Sequence, residues 1–272
     1  MEIKLIAIDM DGTLLDSNNG LSERTRRAIE MAKEKDVEVV LATGRVLKSA
    51  LHYAEMLNLD SYIAACNGAI IVDRQGKDVY RKPIDKKKLE KIMEIGHNMS
   101  VYFHFYNEDT FFTRTYVKEI VEYYSSSKGK FTGQSIDVDI YESTEDILNR
   151  RDLDIFKFLF IDNNSDKLQQ LRDSLHSVDG ISVSKSWANN LEVMEEGASK
   201  NKSLDHLCKL MNISLENTMA IGDNENDLSM LQIAGLSVGM GNGARSVLDQ
   251  VDFVTEDNDN DGVAKAIERF VL

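Results

Sequence analysis

The sequence is poor in the residues that staple, kink or anchor a chain: one proline, two cysteines and one tryptophan in 272 residues. Cys66 and Cys208 lack metal-ligand or redox spacing, which removes a disulfide framework and points to a reducing cytoplasm. Both read as small buried apolar residues. No apolar stretch approaches the roughly 18–20 residues of a membrane span, and no signal-peptide pattern opens the chain, so a cytoplasmic protein without a membrane partner is expected. Basic charge is short as well. Against 46 acidic residues stand 32 Lys and Arg, a net charge of −14, which disfavours a nucleic-acid partner. No G-x-x-x-x-G-K-[ST] loop occurs, which argues against an NTPase. Six positions after Cys66 stands Val72 and six after Cys208 stands Ser214, so no arginine completes a cysteine-phosphatase loop. Repeats and low-complexity segments are missing; "SSSKGK" at 125–130 reads as a loop.

What is present is an alternation. "KLIAI", "VEVVLA", "YIAAC", "TMAIG" and "LSVGM" are short runs, apolar on both faces, as strands of a covered parallel sheet must be. Between the first two, Thr25, Ala28, Ile29 and Ala32 recur at helical spacing behind an N-cap Ser22. "SKNKSLDHLCKLMN" and "ENDLSMLQIAG" read as further helices, the second closed by Gly235. The expected fold is α/β: a doubly wound, flavodoxin-like (Rossmannoid) parallel sheet. After a hairpin turning near Gln75 and Gly76 comes the lone Pro83, a hinge marker. From there to about Ala188 the pattern becomes helix, two adjacent strands, helix, strand, helix, strand. The reading is a discontinuous core domain, 1–82 and 189–272, with an inserted α+β cap, 83–188.

The unusual residues gather where ligands bind such a sheet, at the carboxyl ends of its strands. "KLIAIDMDGTLLD" ends a buried strand in Asp9 and Asp11; "ATGR" ends another in Thr43 and Gly44; "GDNEND" carries Asp223, Asn226 and Asp227; Lys200 opens a helix. Four acids at one edge repel one another unless a cation sits among them, and hard oxygen ligands suit Mg²⁺ with a substrate phosphate. An ionised Asp is a competent nucleophile, but like unit charges 4 Å apart cost about 4 kcal/mol at an effective dielectric of 20. Mg²⁺ and Lys200 offset that cost, while Thr43 and the backbone N–H groups near Met10 and Gly12 hold phosphate oxygens. The second acid then protonates the leaving group and activates water.

These motifs resemble the haloacid dehalogenase-like superfamily of aspartate-nucleophile phosphatases. "DMDGTLLD", "ATGR", "GASKNKSL" and "GDNENDLSML" match its four signatures in the family order, and the insert after "CNGA" resembles the cap of the Cof-type branch. The resemblance implies Asp9 as nucleophile, Asp11 as acid/base, and Thr43, Gly44 and Lys200 as phosphate binders. It implies Mg²⁺ held by Asp9, the Asp11 carbonyl and Asp223, with Asn226 and Asp227 steadying the site and Asn226 close to the phosphate. Asn201, where the family often has glycine, questions local backbone shape. The implied substrate is a small phosphorylated metabolite, with a phosphomutase of the same superfamily as the alternative; oligomeric state is unassigned.

Two motifs compete. "DNDNDGVAKAIE", 257–268, satisfies the D-x-D-x-D-G-x5-E calcium loop, a distant calcium-binding alternative. Such a loop needs a helix on both sides, and "VDFVT" before it reads as a strand; Asp261 reads as the cap of the final helix. "GMGNGA", 239–244, fits a dinucleotide fingerprint, but the helix after it is short. In the cap, "VYFHFY" alternates: Val101, Phe103 and Phe105 should face the cap's helices, leaving Tyr102, His104 and Tyr106 to look toward the substrate.

Overall fold

The structure, a computed structural model, describes residues 2–56, 58–125 and 136–272. Of the loop expected at 125–130, Ser125 is helical and the rest lies outside the described residues. Four apolar residues, Leu5–Ile8, form strand β1, buried on both faces. They are followed by α1 (Glu23–Glu34), β2 (Glu38–Ala42), α2 (Leu47–Met56), β3 (Ile63–Ala65), β4 (Ile70–Val72) and β5 (Asp78–Arg81). The middle of the chain forms α3 (Lys86–Asn98), β6 (Tyr102–Tyr106), β7 (Thr110–Thr113), α4 (Lys118–Ser125), β8 (Asp137–Ile140), α5 (Thr144–Asn149), β9 (Lys157–Ile161), α6 (Ser165–Leu175), β10 (Ile181–Ser184) and β11 (Asn190–Glu195). Last come α7 (Lys200–Met211), β12 (Thr218–Gly222), α8 (Glu225–Leu231), β13 (Leu236–Gly239), α9 (Arg245–Leu248), β14 (Phe253–Val254) and α10 (Gly262–Phe270).

Two sheets result. The first, in order β14-β13-β12-β1-β2-β3-β4-β5, is parallel up to β3 and closes with the antiparallel pairs β3/β4 and β4/β5. The chain steps outward from β1 to β2 and β3, then returns to the other side of β1 as β12, so the topological switch point lies between β1 and β12. Helix α1 buries Thr25, Ala28, Ile29 and Ala32, the stripe read from the sequence, and Ser22 accepts from the Thr25 N–H. The second sheet, in order β10-β11-β9-β6-β7-β8, carries α3, α5 and α6 on one face over a core that includes Val101, Phe103 and Phe105. Its other face presents Tyr106, Phe111 and Met194 to the apolar core of the first sheet, with Val121 of α4 joining them.

Three expectations change. The apolar strand "NLEVME" belongs to the second sheet, as β11 between β9 and β10, so the expected division at 188/189 cuts that sheet. A short strand buried on both faces reads alike in either sheet. Strand β8 and helix α5 lie within a stretch expected to be helix alone; the acid-rich "DVDI" pattern of an exposed edge strand hid them. Helix α8 ends at Leu231 with Gln232 as its cap, so Gly235 closes nothing. A Cβ on Gly235 would stand 2.3 Å from the Glu216 carbonyl oxygen. Gly235→Ala should therefore cost about 1–3 kcal/mol in urea unfolding, the usual range for overpacking. An unchanged midpoint would show that the segment yields.

Candidate active site

Parallel pairing of β1 with β12 sets Ile8 beside Ile221, and Asp9 follows with its N–H donating to the Ile221 carbonyl at 3.0 Å. This brings Asp9 and Asp223 together at the switch point. Gly12 answers to that closeness: its φ is +81°, and a Cβ there would lie 2.6 Å from Asp223 Oδ2. Thr13 Oγ1 donates to Asp223 Oδ1 at 3.2 Å. At the start of α8, Asp227 Oδ2 accepts the N–H groups of Asp223 and Asn224, each at 3.0 Å. Lys200, the first residue of α7 and fully buried, pairs its Nζ with Asp9 Oδ1 and, at 2.6 Å, with Asp227 Oδ1. Asn201 sits in the same helical turn and is not among the residues of positive φ, so its side chain leaves the backbone regular.

Charge balance in this cluster is uneven. Burial first, then the Asp227 charge, push the Asp9 carboxyl up to about 7 against the pull of Lys200. Burial and the charges of Asp227 and Asp9 raise Asp223 well above the usual carboxylate range. Burial pulls Lys200 down, but the charges of Asp227 and Asp9 outweigh it and hold the ammonium above its ordinary value. Between its unfolded value of 3.8 and about 7, Asp9 holds a proton in the folded chain that the unfolded chain has lost, so its contribution to stability falls as pH rises. Metal-free wild type should therefore lose stability from about pH 4 to about pH 7 more steeply than Asp9→Asn, in parallel urea titrations. Equal slopes would remove Asp9 as the source.

Asp11 points elsewhere. Arg45, in the turn after β2, grips it through two bonds, Nε to Oδ2 at 2.9 Å and Nη2 to Oδ1 at 2.6 Å. The Arg45 side chain is 1% exposed and its guanidinium lies 4.5 Å from the Tyr53 ring centroid. This arginine stands in "ATGR", where a single charge after an apolar strand gives no sign of the acid it meets. Thr43, fully buried, accepts the Arg45 N–H on its hydroxyl at 3.1 Å, which fixes the turn. Gly44 lies against the side chains of Asn67 and Lys157, with room for a Cβ only 3.0 Å from Asn67 Oδ1. Asn226 donates to that same Oδ1 at 3.2 Å. Asp9, Asp11, Gly44, Asp223, Asn224 and Asn226 thus line one cleft, closed from the second sheet by Lys157, Glu192, Ser186 and Trp187.

The alternating cap residues separate. Tyr106 lines an adjoining pocket with Gly44, Arg45 and Val46. His104 is fully buried one layer behind, stacked on Phe111 with centroids 4.3 Å apart and its Nε2 2.9 Å from the Tyr106 hydroxyl. Burial, then the Lys157 charge, hold its pKa well below 6.5. Tyr102 turns to Thr113 at 3.2 Å and lines a different pocket. The competing motifs are spent on structure. Strand β14, not a helix, precedes the 257–268 segment; Asp259 accepts from the Ser17 hydroxyl at 2.6 Å, and Glu268 pairs with Arg24 at 2.7 Å. Asp261 occupies the N-cap position of α10 in left-handed backbone, but its side chain caps nothing. After "GMGNGA" helix α9 has four residues; Gly243 packs on the Asp223 carbonyl and the Ala244 N–H donates to it at 2.9 Å.

Paired acids at the switch point of a parallel sheet, a buried lysine between them and a mixed sheet closing the cleft define an α/β protein with a ligand site at the carboxyl edge of its sheet. The sequence profile of the haloacid dehalogenase-like hydrolases matches residues 6–267, and the chain belongs to that family, in its Cof-type branch; it is a phosphoric monoester hydrolase. It is 32% identical over 272 residues, all of this chain and 97% of the relative, to the 5-amino-6-(5-phospho-D-ribitylamino)uracil phosphatase YcsE of Bacillus subtilis (strain 168). It is 26% identical over 268 residues, 98% of each chain, to the pyridoxal phosphate phosphatase YbhA of Escherichia coli (strain K12). A solved haloacid dehalogenase-like hydrolase from B. subtilis superposes with a TM-score of 0.88 at 29% identity, covering 98% of this chain and 99% of that one. No helix among the described residues is long and apolar enough to cross a membrane.

Proposed function

We propose that the chain is a Mg²⁺-dependent phosphatase of small phosphorylated metabolites that works through an aspartyl-phosphate on Asp9. The observation that carries this reading is the buried group Asp9, Asp223 and Asp227, whose ligand atoms lie within 4.8 Å of one another around Lys200. The donor set fits a hard divalent cation. Asp227 is committed to Lys200 and two backbone N–H groups, whereas the second Asp9 oxygen has no hydrogen bond among the described residues and Asp223 receives only neutral donors. Asp9, Asp223 and the Asp11 carbonyl would hold Mg²⁺, which when bound supplies charge neutralisation for the carboxylate and phosphate together.

The chain's own groups do the rest. Lys200 holds Asp9 in place and, with the Thr43 hydroxyl and the N–H groups of Met10 and Gly12, receives phosphoryl oxygens. The latter two donate to no backbone carbonyl among the described residues. Asp9 attacks phosphorus in line with the ester oxygen, and the P–O bond to the leaving group breaks. Asp11, once one of its two bonds to Arg45 opens and that oxygen takes up a proton, gives the proton to the leaving oxygen and then, as a carboxylate, takes one from the water that cleaves the Asp9 phosphate. Core residues 2–82 and 196–272 supply this chemistry, and a cap spanning 83–195 covers it. Small phosphorylated substrates of the curated relatives support the substrate class. The buried, unpaired Cys66 and Cys208 suit a cytoplasmic setting. Phosphate released from a panel of phosphorylated metabolites with Mg²⁺, and lost on chelation, tests the proposal. Turnover only with a bisphosphate activator would indicate the mutase instead.

A further inference from the structure

At the end of β6 far from Tyr106, about 13 Å along the strand, the second sheet borders a cavity of about 230 Å³. It lies where β7, β8 and α3 end and shares no lining residue with the clefts described above, nor with the cavity of about 350 Å³ lined by Asp11, Gly12, Asp223 and Trp187. Two of its residues carry buried polar atoms without a partner. Tyr141, 1% exposed, has no hydrogen bond to its hydroxyl among the described residues, and His97 has none to Nε2. A phenylalanine at 141 would fill the same space without a desolvated hydroxyl, so packing alone gives no reason for the tyrosine. Arg114, in the bend after β7, lines the same cavity, is exposed, and forms no ion pair among the described residues. Its charge reaches both groups. Burial and then Arg114 lower the His97 pKa, which keeps that ring neutral, while burial raises Tyr141 against the pull of Arg114.

The other walls include Val101 and the rings of Tyr102 and Phe103, the last 5.0 Å from the His97 ring. Water satisfies the two polar atoms only by wetting these aromatic faces. A ring fits the space, since roughly 150 Å³ of apolar cavity already takes up benzene. A guanidinium presents its fork to a carboxylate. A phosphate dianion is poorly matched, because no second Lys or Arg lines the cavity and Glu145 lies within reach of the Arg114 charge. We propose that this cavity is a second ligand site, separate from the active centre, for a small monoanionic carboxylate with an aromatic or apolar body. The carboxylate meets Arg114 and the Tyr141 hydroxyl, the body lies against Phe103 and Val101, and His97 Nε2 serves a polar substituent. Neither buried atom is open to solvent, and the exposed Arg114 side chain is the movable wall that admits the ligand to them.

The test titrates benzoate into the full chain by calorimetry, with benzylamine and inorganic phosphate as controls. One benzoate should bind per chain, equally well with saturating phosphate and Mg²⁺ present, and benzylamine should not bind. Arg114→Gln should weaken benzoate at least about tenfold, the usual weight of a hydrogen bond to a charged group. Tyr141→Phe should weaken it by a similar factor and also raise the urea midpoint of the ligand-free protein, because the unpaired hydroxyl is gone. Both variants should keep the wild-type kcat/KM when benzoate is left out. No binding up to millimolar benzoate, displacement of benzoate by phosphate, or equal binding by both variants overturns the assignment. A Tyr141→Phe midpoint at or below that of wild type does so too, since the hydroxyl would then already be satisfied within the fold.

Discussion

Asp9→Asn should release no phosphate from any ester, an aryl phosphate included, whereas Asp11→Asn should give a burst of phenolate and then turn over about 10²–10⁴-fold more slowly than wild type. The contrast follows from the two side chains' positions. Asp9 is locked at the end of β1 by the Ile221 carbonyl and by Lys200, while Asp227 is taken up by Lys200 and two backbone N–H groups and Asp223 by Thr13 and Asn224. An amide there cannot form the acyl-phosphate. Asp11 is held off the cluster by the two-bond grip of Arg45, so it does not stand in for Asp9 beside Lys200. A phenolate of low pKa leaves without its proton, so the first half-reaction survives in Asp11→Asn. Hydrolysis of the Asp9 phosphate still lacks its base. Rapid-quench measurement of phenolate against phosphate separates the steps. Equal, burst-free losses in both variants would reduce the acids to a common structural role.

Lys200→Met should destabilise the metal-free protein by about 3–5 kcal/mol, the cost of removing one partner from a buried ion pair, and abolish measurable turnover. The lysine is the only cation that the buried cluster of Asp9, Asp223 and Asp227 touches among the described residues, so its loss leaves three acids in mutual repulsion. Mg²⁺ should recover part of the stability, because an ion bound by the folded chain alone stabilises by mass action. Asp223→Asn should behave in the opposite sense. Removing an acid whose ionisation burial and the Asp227 and Asp9 charges oppose should leave the metal-free chain as stable as wild type or more so at about pH 8, while erasing the stabilisation by Mg²⁺. Urea unfolding of both variants with and without Mg²⁺ decides; a Lys200→Met midpoint equal to wild type would mean that the carboxylates shed their charge at no cost.

Much of this architecture is legible because its physics is local. An apolar run ending in two acids, a glycine and a threonine has few uses, and β1 places Asp9, Gly12 and Thr13 against Asp223 as those residue types require. The α1 stripe at Thr25, Ala28, Ile29 and Ala32 is a matter of spacing alone. What escapes sequence reasoning depends on partners far along the chain. β11 is as apolar as a core strand, and only its pairing with β9 assigns it to the second sheet. Gly235 resembles a helix terminus but answers to the Glu216 carbonyl nineteen positions earlier in the chain. His104 and Tyr106 share a strand face, yet only Tyr106 meets the cleft, because Phe111 and Tyr124 close over the histidine. The signals for Lys157, Glu192 and Arg45 were present as single charges inside or just after apolar strands, where an unpaired charge is too costly to be idle.

The account turns on Asp9 carrying the phosphoryl group, and peptide mapping by mass spectrometry of Asp11→Asn, quenched in acid after incubation with an aryl phosphate and Mg²⁺, tests it most directly. One phosphoryl group should appear on the peptide containing Asp9, absent when the metal is chelated and absent from the Asp9→Asn/Asp11→Asn double variant. Phosphate on any other residue, or continued turnover by Asp9→Asn, contradicts it.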